Sequence, residues 1–580
     1  MIKANENVDF FSKKMFSRLL APSLISYIGL AFGDVADAVV VGNKLGVTGL
    51  AAISLALPVF MIINVIMHGF GSGGAIIYSR LMGEGKHKEA VSSFNSVLRT
   101  SIIISVILAI VGNIFMEQLL KILGTVPKDG DLYNTAFEYI NIIVTGMPVI
   151  MIGYILNYYL RNSGSEKLAS LGFTVANIVD ISLNIIFVLI LEIGVKGAAY
   201  ATVIGQMVAI VFYLPSILKK KNNLYFSIKG DNLFNTFKCF RVGFSSSVQY
   251  VFTFIFILSV NNILMVLSGD VGVAIFDLIQ NVSFLVLYLY EGVAKASQPL
   301  VSTFCGERNT SGQKTILTYS IVSGTIAGGV AILIIAVFPE FMCNIFGLIE
   351  SSVLDVGIYA LRVYCTGALF AGLNVLLESY EQACENEEGA FFIALLRGAI
   401  ILIPVTFIFA FFGIKVFWWL FPITELISFI VFFLWKKFTK KEKAFDKERV
   451  YSCTIANSFE DMEVLMNNID EFCEKWNAEE SQKYYVVMTI EELCVAIMKQ
   501  FEEKDDGRIQ ITFIANEDKS FELHIRDNAV LFNPFELDTN KADEDFNFDM
   551  DAMGMLVIKE TAKNFYYRRY QGFNTLVVRI

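Results

Sequence analysis

Charge is scarce in this chain of 580 residues, with Asp, Glu, Lys and Arg together at 18%, against about a quarter in ordinary soluble proteins. The three histidines, His68, His87 and His524, are scattered, and none of the eight cysteines forms a CxxC pair. A zinc site and a disulfide framework are therefore not expected. No cleavable signal is expected either, because "MIKANENVDFFSKK" is polar and runs directly into an apolar stretch. No nucleic-acid partner is expected, and the net charge is −10.

Apolar mass is what the chain has: 55% of its residues are hydrophobic and 51 are Phe. The acidic excess is local. Residues 451–580 hold 13 Lys and Arg against 26 Asp and Glu, which leaves the first 450 residues at +3, so two different objects are joined. The first reads as twelve apolar stretches, each long enough to cross a hydrocarbon core of about 30 Å, near residues 18–41, 50–78, 92–117, 136–160, 168–191, 194–218, 240–267, 273–300, 316–339, 355–382, 389–412 and 413–436. Alternate connections, "RLMGEGKHKE", "RNSGSEK", "LKKKNN", "GERNTSGQK" and "KKFTKKEK", hold most of the Lys and Arg. The positive-inside rule puts these connections and both termini in the cytoplasm, with the spans in the cytoplasmic membrane.

Sliding the chain against itself by 223 positions pairs Arg18 with Arg241, Tyr27 with Tyr250, Gly69 with Gly292, Gly83 with Gly306 and Glu84 with Glu307, without a gap. Two copies of six spans, expected at 1–224 and 225–437, enter from the same side and are related by an axis along the membrane normal. That architecture suits a transporter that rocks two bundles around a central cavity.

Within this oily region "GDVADAVVVG" carries Asp34 and Asp37. An intramembrane carboxylate is costly and is by default a functional candidate. Asp37 falls opposite Val260 in the second copy, so the acid belongs to one lobe only. The fifth span supplies Asn177, Asp180 and Asn184 at i, i+3 and i+7, which stacks three oxygen-bearing side chains on one helical face. Oxygen ligands suit Na⁺, and a desolvated carboxylate pair suits a proton carrier. The plainer reading makes Asp37 and Asp180 structural acids that knit helices together. Asp34, with Asn184 and Gln206, is a weaker candidate for the substrate cavity.

The stretches "DAVVVGNKLGVTGLAA", "ANIVDISLNIIFVLILEIGVKGAAYATVIGQ", "ASQPLVSTFCGERN" and "ALLRGAIILIPVTFIFAFFGI" resemble the multidrug and toxic compound extrusion (MATE) family over about residues 12–437. The resemblance implies a twelve-helix secondary antiporter that expels organic cations and related compounds in exchange for Na⁺ or H⁺. It also implies a coupling-ion site at Asp37, Asn177 and Asp180, with no other metal and no bound cofactor. The family often has Asn where Asp34 stands, so that acid bears on ion choice or on a cationic substrate. Gln298 and Pro299 match the family's "QP" element. Arg397, near its span end, is expected to snorkel to the headgroups, and Glu378 and Glu381 to be solvated helix-end acids. Glu291 and Lys295, at i and i+4, form a candidate self-neutralising pair.

After a basic linker at 438–449, suited to anionic headgroups, residues 450–580 read as a soluble α+β sandwich. "RVYSCTI", "RIQITFIA" and "FELHIRDN" alternate as strands, two helices fall between the first and second of them, and "KNFYYRRYQGFNTLVVRI" closes as a hairpin. The motifs "EELCVAIMKQ", "RDNAVLFNPFEL" and "DAMGMLVIK" resemble the histidine-kinase-like ATPase fold, in particular its anti-sigma-factor serine kinase branch. Glu492, Asp527 and Gly554 match family positions. Ala496 stands where that family holds Mg²⁺ with Asn, Ala529 replaces a turn glycine, and Asp551 and Ala552 replace phosphate-loop glycines. A lost metal ligand and added negative charge oppose Mg·ATP.

The expectation is a cation-coupled exporter, not an enzyme, embedded in lipid and taking small organic substrates. Its degenerate nucleotide-fold domain would serve as a regulatory module or as the dock for a cytoplasmic protein. The rivals are a transporter-like receptor that signals through the domain and a lipid-linked glycan flippase.

Overall fold

A computed structural model describes residues 9–219, 223–227, 233–345, 351–439, 447–501, 506–536 and 550–580. Among them twelve helices are long and apolar enough to cross a bilayer: Phe10–Gly33, Ala51–Gly83, His87–Ile114, Asp131–Asn162, Glu166–Ile190, Val195–Leu218, Thr236–Gly269, Val271–Gly306, Thr310–Val337, Val353–Ala383, Glu387–Phe411 and Ile414–Phe438. Helix is the form these runs take because lipid offers the backbone no hydrogen-bond partner. They tolerate internal prolines at Pro22, Pro58, Pro148, Pro215 and Pro299, because neighbouring helices and hydroxyl side chains can meet the backbone groups a proline frees.

The repeat in the sequence becomes a pseudo-two-fold axis, visible in reciprocal contacts. A side chain at Gly83 would meet the carbonyl of Thr303 at 2.3 Å, and one at Gly306 would meet the carbonyl of Arg80 at 2.2 Å. These four residues are two pairs of repeat mates. Likewise Gly69 lies against Ser247 while Gly292 lies against Leu24, again mates of one another. Two-fold symmetry requires this exchange of contacts. The chain reversal after the second span needs a left-handed residue, Gly85 at φ 71°, and its mate Arg308 adopts φ 53° at the same turn. Backbone geometry has therefore kept its symmetry where the side chain has not. At the end that carries these turns, the second and eighth spans pack closely and hold the two lobes together.

The soluble part is a five-stranded antiparallel sheet in the order β1-β2-β3-β5-β4. Its strands are β1 Val450–Ala456, β2 Arg508–Ala515, β3 Phe521–Asp527, β4 Asn564–Tyr570 and β5 Phe573–Arg579. Helices α1 Phe459–Lys475, α2 Glu480–Met498 and α3 Met550–Thr561 complete the α+β sandwich. Alternation sends Ile455, Ile509, Ile511, Leu523, Ile525, Leu576 and Val578 into the core shared with the helices. The registered pairs Thr454↔Gln510, Gln510↔Arg526, Arg526↔Thr575 and Arg568↔Thr575 make a polar row on the opposite face. That row is buried too, with Gln510, Arg526, Thr575 and Arg568 all under 4% exposed, because the sheet lies against the membrane part.

Candidate functional site

The first and fifth spans run parallel in a fixed register. Ser26 Oγ donates to the carbonyl of Ser170 at 3.1 Å and lies 3.5 Å from Thr174 Oγ1. Gly33 faces Ile181, and Lys44 Nζ meets Glu192 Oε1 at 2.6 Å. Three of these pairs, 26 with 174, 33 with 181 and 44 with 192, share one offset, which sets position 37 level with Ile185 and position 34 level with Ser182. The side chains of Asp34 and Asp37 lie outside the described residues. Position 37 is thus about five residues, roughly 7.5 Å of helix rise, beyond the level of Asp180 and next to that of Asn184.

On the fifth span Asn177 and Asn184 are buried and Asp180 is half-buried. Asn177 Nδ2 has no hydrogen-bond partner among the described residues. Gly205 of the sixth span approaches this face, with room for a Cβ only 3.2 Å from that of Asp180. Gln206, the adjacent residue, is directed instead at Gly153 of the fourth span. The helix changes to π geometry at Ile185–Ile190, beside the stretch that carries Asp37. Single-turn π segments of this kind widen a helix and recur at functional sites.

The structure corrects three sequence expectations about ionised residues. Arg397 does not reach the headgroups: it is 8% exposed and forks onto Glu425, with Nε and Nη2 at 2.8 and 3.0 Å from the two carboxylate oxygens. Glu378 is buried at 3.7 Å from Arg397, and Glu381 is buried against Lys436 and Asn386, so neither is a solvated helix-end acid. The snorkelling argument fails because Glu425, on the twelfth span, supplies a counter-charge inside the bundle. Lys295 is buried over the ring of Tyr158, 5.4 Å from its centroid, and His68 lies between Tyr158 and Tyr250, at 3.0 and 2.8 Å. Sequence reasoning gave no site role to His68 or to Arg161, which pairs with Glu166 at 2.7 Å and reaches Ser23 on the first span. His68 carried a signal, as an ionisable residue within an apolar run, whereas Arg161 and Glu166 fall in the polar connection "RNSGSEK" and carried none.

Compared with known families, residues 22–189 and 242–408 each match the MatE family model. The chain belongs to the MatE family. The two matches fall on the two six-span halves, as the internal repeat requires. Among similar proteins, the multidrug export protein MepA of Staphylococcus haemolyticus is 26% identical over 395 residues, 66% of this chain and 84% of that one. A probable multidrug resistance protein, YoeA of Bacillus subtilis, is 23% identical over 347 residues, 57% of this chain and 73% of that one. Of solved structures, an outward-facing conformation of a multidrug resistance MATE family transporter superposes with a TM-score of 0.69 at 23% identity. It covers 74% of this chain and 95% of that one. A transporter from Pyrococcus furiosus described as having a binding pocket of reverse polarity gives 0.69 at 24% identity, over 75% and 98%. These likenesses establish the MATE fold of a multi-pass membrane protein.

Residues 455–580 match the histidine kinase-like ATPase domain, so this MatE-family protein is a fusion. In that domain Asp527 is fully buried at the end of β3. Its Oδ1 accepts from Asn574 Nδ2 at 2.7 Å and from the Ala529 amide at 2.9 Å, while Oδ2 has no hydrogen-bond partner among the described residues. Burial pushes its carboxyl up to about 6. Glu492 on α2 abuts α3, since a Cβ at Gly554 would lie 2.4 Å from its Oε2. Ala496, one turn further along α2, offers no oxygen ligand. Among the described residues this donor set fits a metal-bound triphosphate poorly, with Ala496 offering no side-chain ligand and Gly554 of α3 set against Glu492. The Asp551 and Ala552 side chains lie outside the described residues.

Proposed function

We propose that this MatE-family protein is a secondary antiporter that exports organic compounds, cationic ones foremost, across the cytoplasmic membrane in exchange for Na⁺ or H⁺. The observation that carries this reading is the polar face of the fifth span, Asn177, Asp180 and Asn184, held in constant register beside the acid-bearing stretch of the first. Asn177 Nδ2 is buried without a partner, and an unmet buried donor is costly unless something else meets it. The names of the relatives, all exporters of drugs or tied to drug resistance, support the substrate class. A cation at Asp37 and Asp180 biases the lobes only by its differential affinity for the two access states, and a substrate that competes for the same acids makes the exchange obligatory.

Both termini and the C-terminal domain lie in the cytoplasm on this reading. The domain retains an ATPase-like fold without the means to hold Mg·ATP and acts on the transporter as a regulatory module. Proteoliposomes with Na⁺ and proton gradients imposed separately test coupling. Efflux driven by either supports the antiporter, and substrate binding without gradient-driven flux overturns it in favour of a receptor. Asp37→Asn is expected to abolish coupled efflux while the protein still inserts in the membrane. Wild-type drug resistance from that variant removes Asp37 from the site.

A further inference from the structure

The repeat supplies an internal control for what the C-terminal domain does. Glu84 and Glu307 are mates. Glu84 is neutralised within its own lobe by Arg80 and Lys86, both at 2.8 Å. At the mate positions of those two cations the second copy has Thr303 and Asn309, and Glu307, 3% exposed, is paired instead with Arg526 of β3 at 2.6 Å. The same asymmetry recurs with Arg18 and Arg241. Arg241 pairs with Glu387 of its own lobe, whereas Arg18 donates to the carbonyl of Gln571 at the β4–β5 hairpin tip and covers the ring of Phe573. At both positions one copy is satisfied inside the membrane part and the other by the soluble domain.

The hairpin tip sits between the lobes. Gln571 at φ 52° and Gly572 at φ 81° form the tight two-residue turn of a twisted hairpin, and a side chain at position 572 would collide with Arg18. The ring of Tyr570, fully buried, lies against Gly164 of the first lobe while its hydroxyl donates to the carbonyl of Pro299 in the second at 3.4 Å. Around it Phe573 meets Phe11 at 5.2 Å, Tyr566 stacks on His87 at 5.5 Å, Val577 fits against Gly85, and Arg526 covers Phe304. This is the end at which Gly83 and Gly306 close the seam.

We propose that the outer face of the sheet, with the β4–β5 hairpin as its wedge, is a releasable clasp that holds the two lobes closed at this end. Opening there breaks the Tyr570 bridge and separates Glu307 from Arg526. The composition of the clasped face fits release. Gln510 Nε2, Arg526 Nε, Thr575 Oγ1 and all three guanidinium nitrogens of Arg568 are buried without a hydrogen-bond partner among the described residues. A permanent contact is apolar. A row of polar groups with unmet bonds pays a desolvation cost when docked and regains water when free, which keeps the two states close in energy. The inference deepens the regulatory role proposed above and rests on it only for the direction of transport.

Cys305, half-buried at the end of the eighth span beside Gly306, is a native reporter of the seam. In the full-length protein, its alkylation by N-ethylmaleimide is followed by mass spectrometry. Arg526→Glu is expected to speed labelling about tenfold, Tyr570→Ser to act in the same direction, and the exchange Glu307→Arg with Arg526→Glu to return it to near the wild-type rate. Hydrogen exchange of the α1 and α2 amides shows that the domain is folded in each variant, and Tyr570→Ser decides where Arg526→Glu is not. Wild-type labelling in a folded single variant overturns the clasp, as does fast labelling that the charge exchange fails to slow. Because no transported compound enters the assay, loss of the antiporter reading leaves this result standing, and loss of the clasp leaves the efflux assays untouched.

Discussion

Gly83→Ala tests the closed seam most directly. The added Cβ would stand 2.3 Å from the carbonyl oxygen of Thr303, a backbone atom that no rotamer change can remove. Ordinary contact begins near 3.4 Å, so the second and eighth spans must separate by about 1 Å or tilt. Forced overpacking of this kind costs about 1–3 kcal/mol. The cost falls only on the arrangement in which these helices touch, so the closed population drops about 5- to 150-fold relative to the open one. Hydrogen exchange at residues 82–85 and 304–307, read by mass spectrometry, is expected to accelerate by the same factor of about 5 to 150. Pseudo-symmetry adds a sharper requirement. Gly306→Ala, whose Cβ would meet the Arg80 carbonyl at 2.2 Å, should give the same acceleration. The double variant should add little, because one displacement relieves both collisions. Unchanged exchange in either single variant, or full additivity in the double, refutes the reasoning.

Glu425→Gln removes the carboxylate that Arg397 grips with two nitrogens, and breaking a buried pair from one side costs about 3–5 kcal/mol. A lower thermal unfolding midpoint in detergent is expected, with recovery when Arg397→Met is added, and an unchanged midpoint contradicts the burial of the pair. Asp527 has its folded-state carboxyl raised to about 6, above the ordinary value of about 3.9. The folded domain therefore holds this proton more tightly than the unfolded chain, and the stability it contributes is full below about pH 4 and lost as the pH rises to about 6. Asp527→Asn should flatten that fall and raise stability at pH 7 by up to about 3 kcal/mol. Chemical denaturation at a series of pH values checks it, and parallel curves for the two proteins would contradict it.

What could be read in the sequence divides along a physical line. Features fixed within one element were legible: the apolar length of each span, the alternation of β2 and β3, the stacking of Asn177, Asp180 and Asn184. Features repeated in the chain were legible too, and Gly83 with Gly306 proves to be a place where the two copies touch. Contacts between distant elements were not. Arg397 looked like a headgroup anchor because hydropathy sees its distance from the span end and not Glu425, which lies 28 residues away in the chain and within hydrogen-bond reach in space. Glu378 and Glu381 were misread for the same reason. Alternation marks Gln510, Thr512, His524 and Arg526 as the polar side of their strands, yet no strand pattern tells whether that side meets water or another part of the chain. The candidate coupling site is half legible in this sense. Spacing gathers the fifth-span residues, and the register with the first span follows only from Ser26, Gly33 and Lys44 finding their partners.

On the clasp proposal the ATPase-like fold has a use that needs no nucleotide chemistry. Neighbouring residues on a strand project to opposite faces, so β3 presents Arg526 to Glu307 of the membrane part and, one residue on, Asp527 to the domain interior. Asn574 holds Asp527, and the next residue on β5, Thr575, lies beside Arg526 in the docked row. Whatever alters the surroundings of Asp527 therefore acts on a rigid strand whose other side carries the ion pair of the clasp. A sandwich with a sealed helical core and a polar outer face is suited to this task, because its core keeps it folded whether the outer face is docked or wet. An alanine at position 496 costs such a module nothing, whereas loss of Arg526 or Tyr570 would remove one of the contacts that hold it against the membrane part.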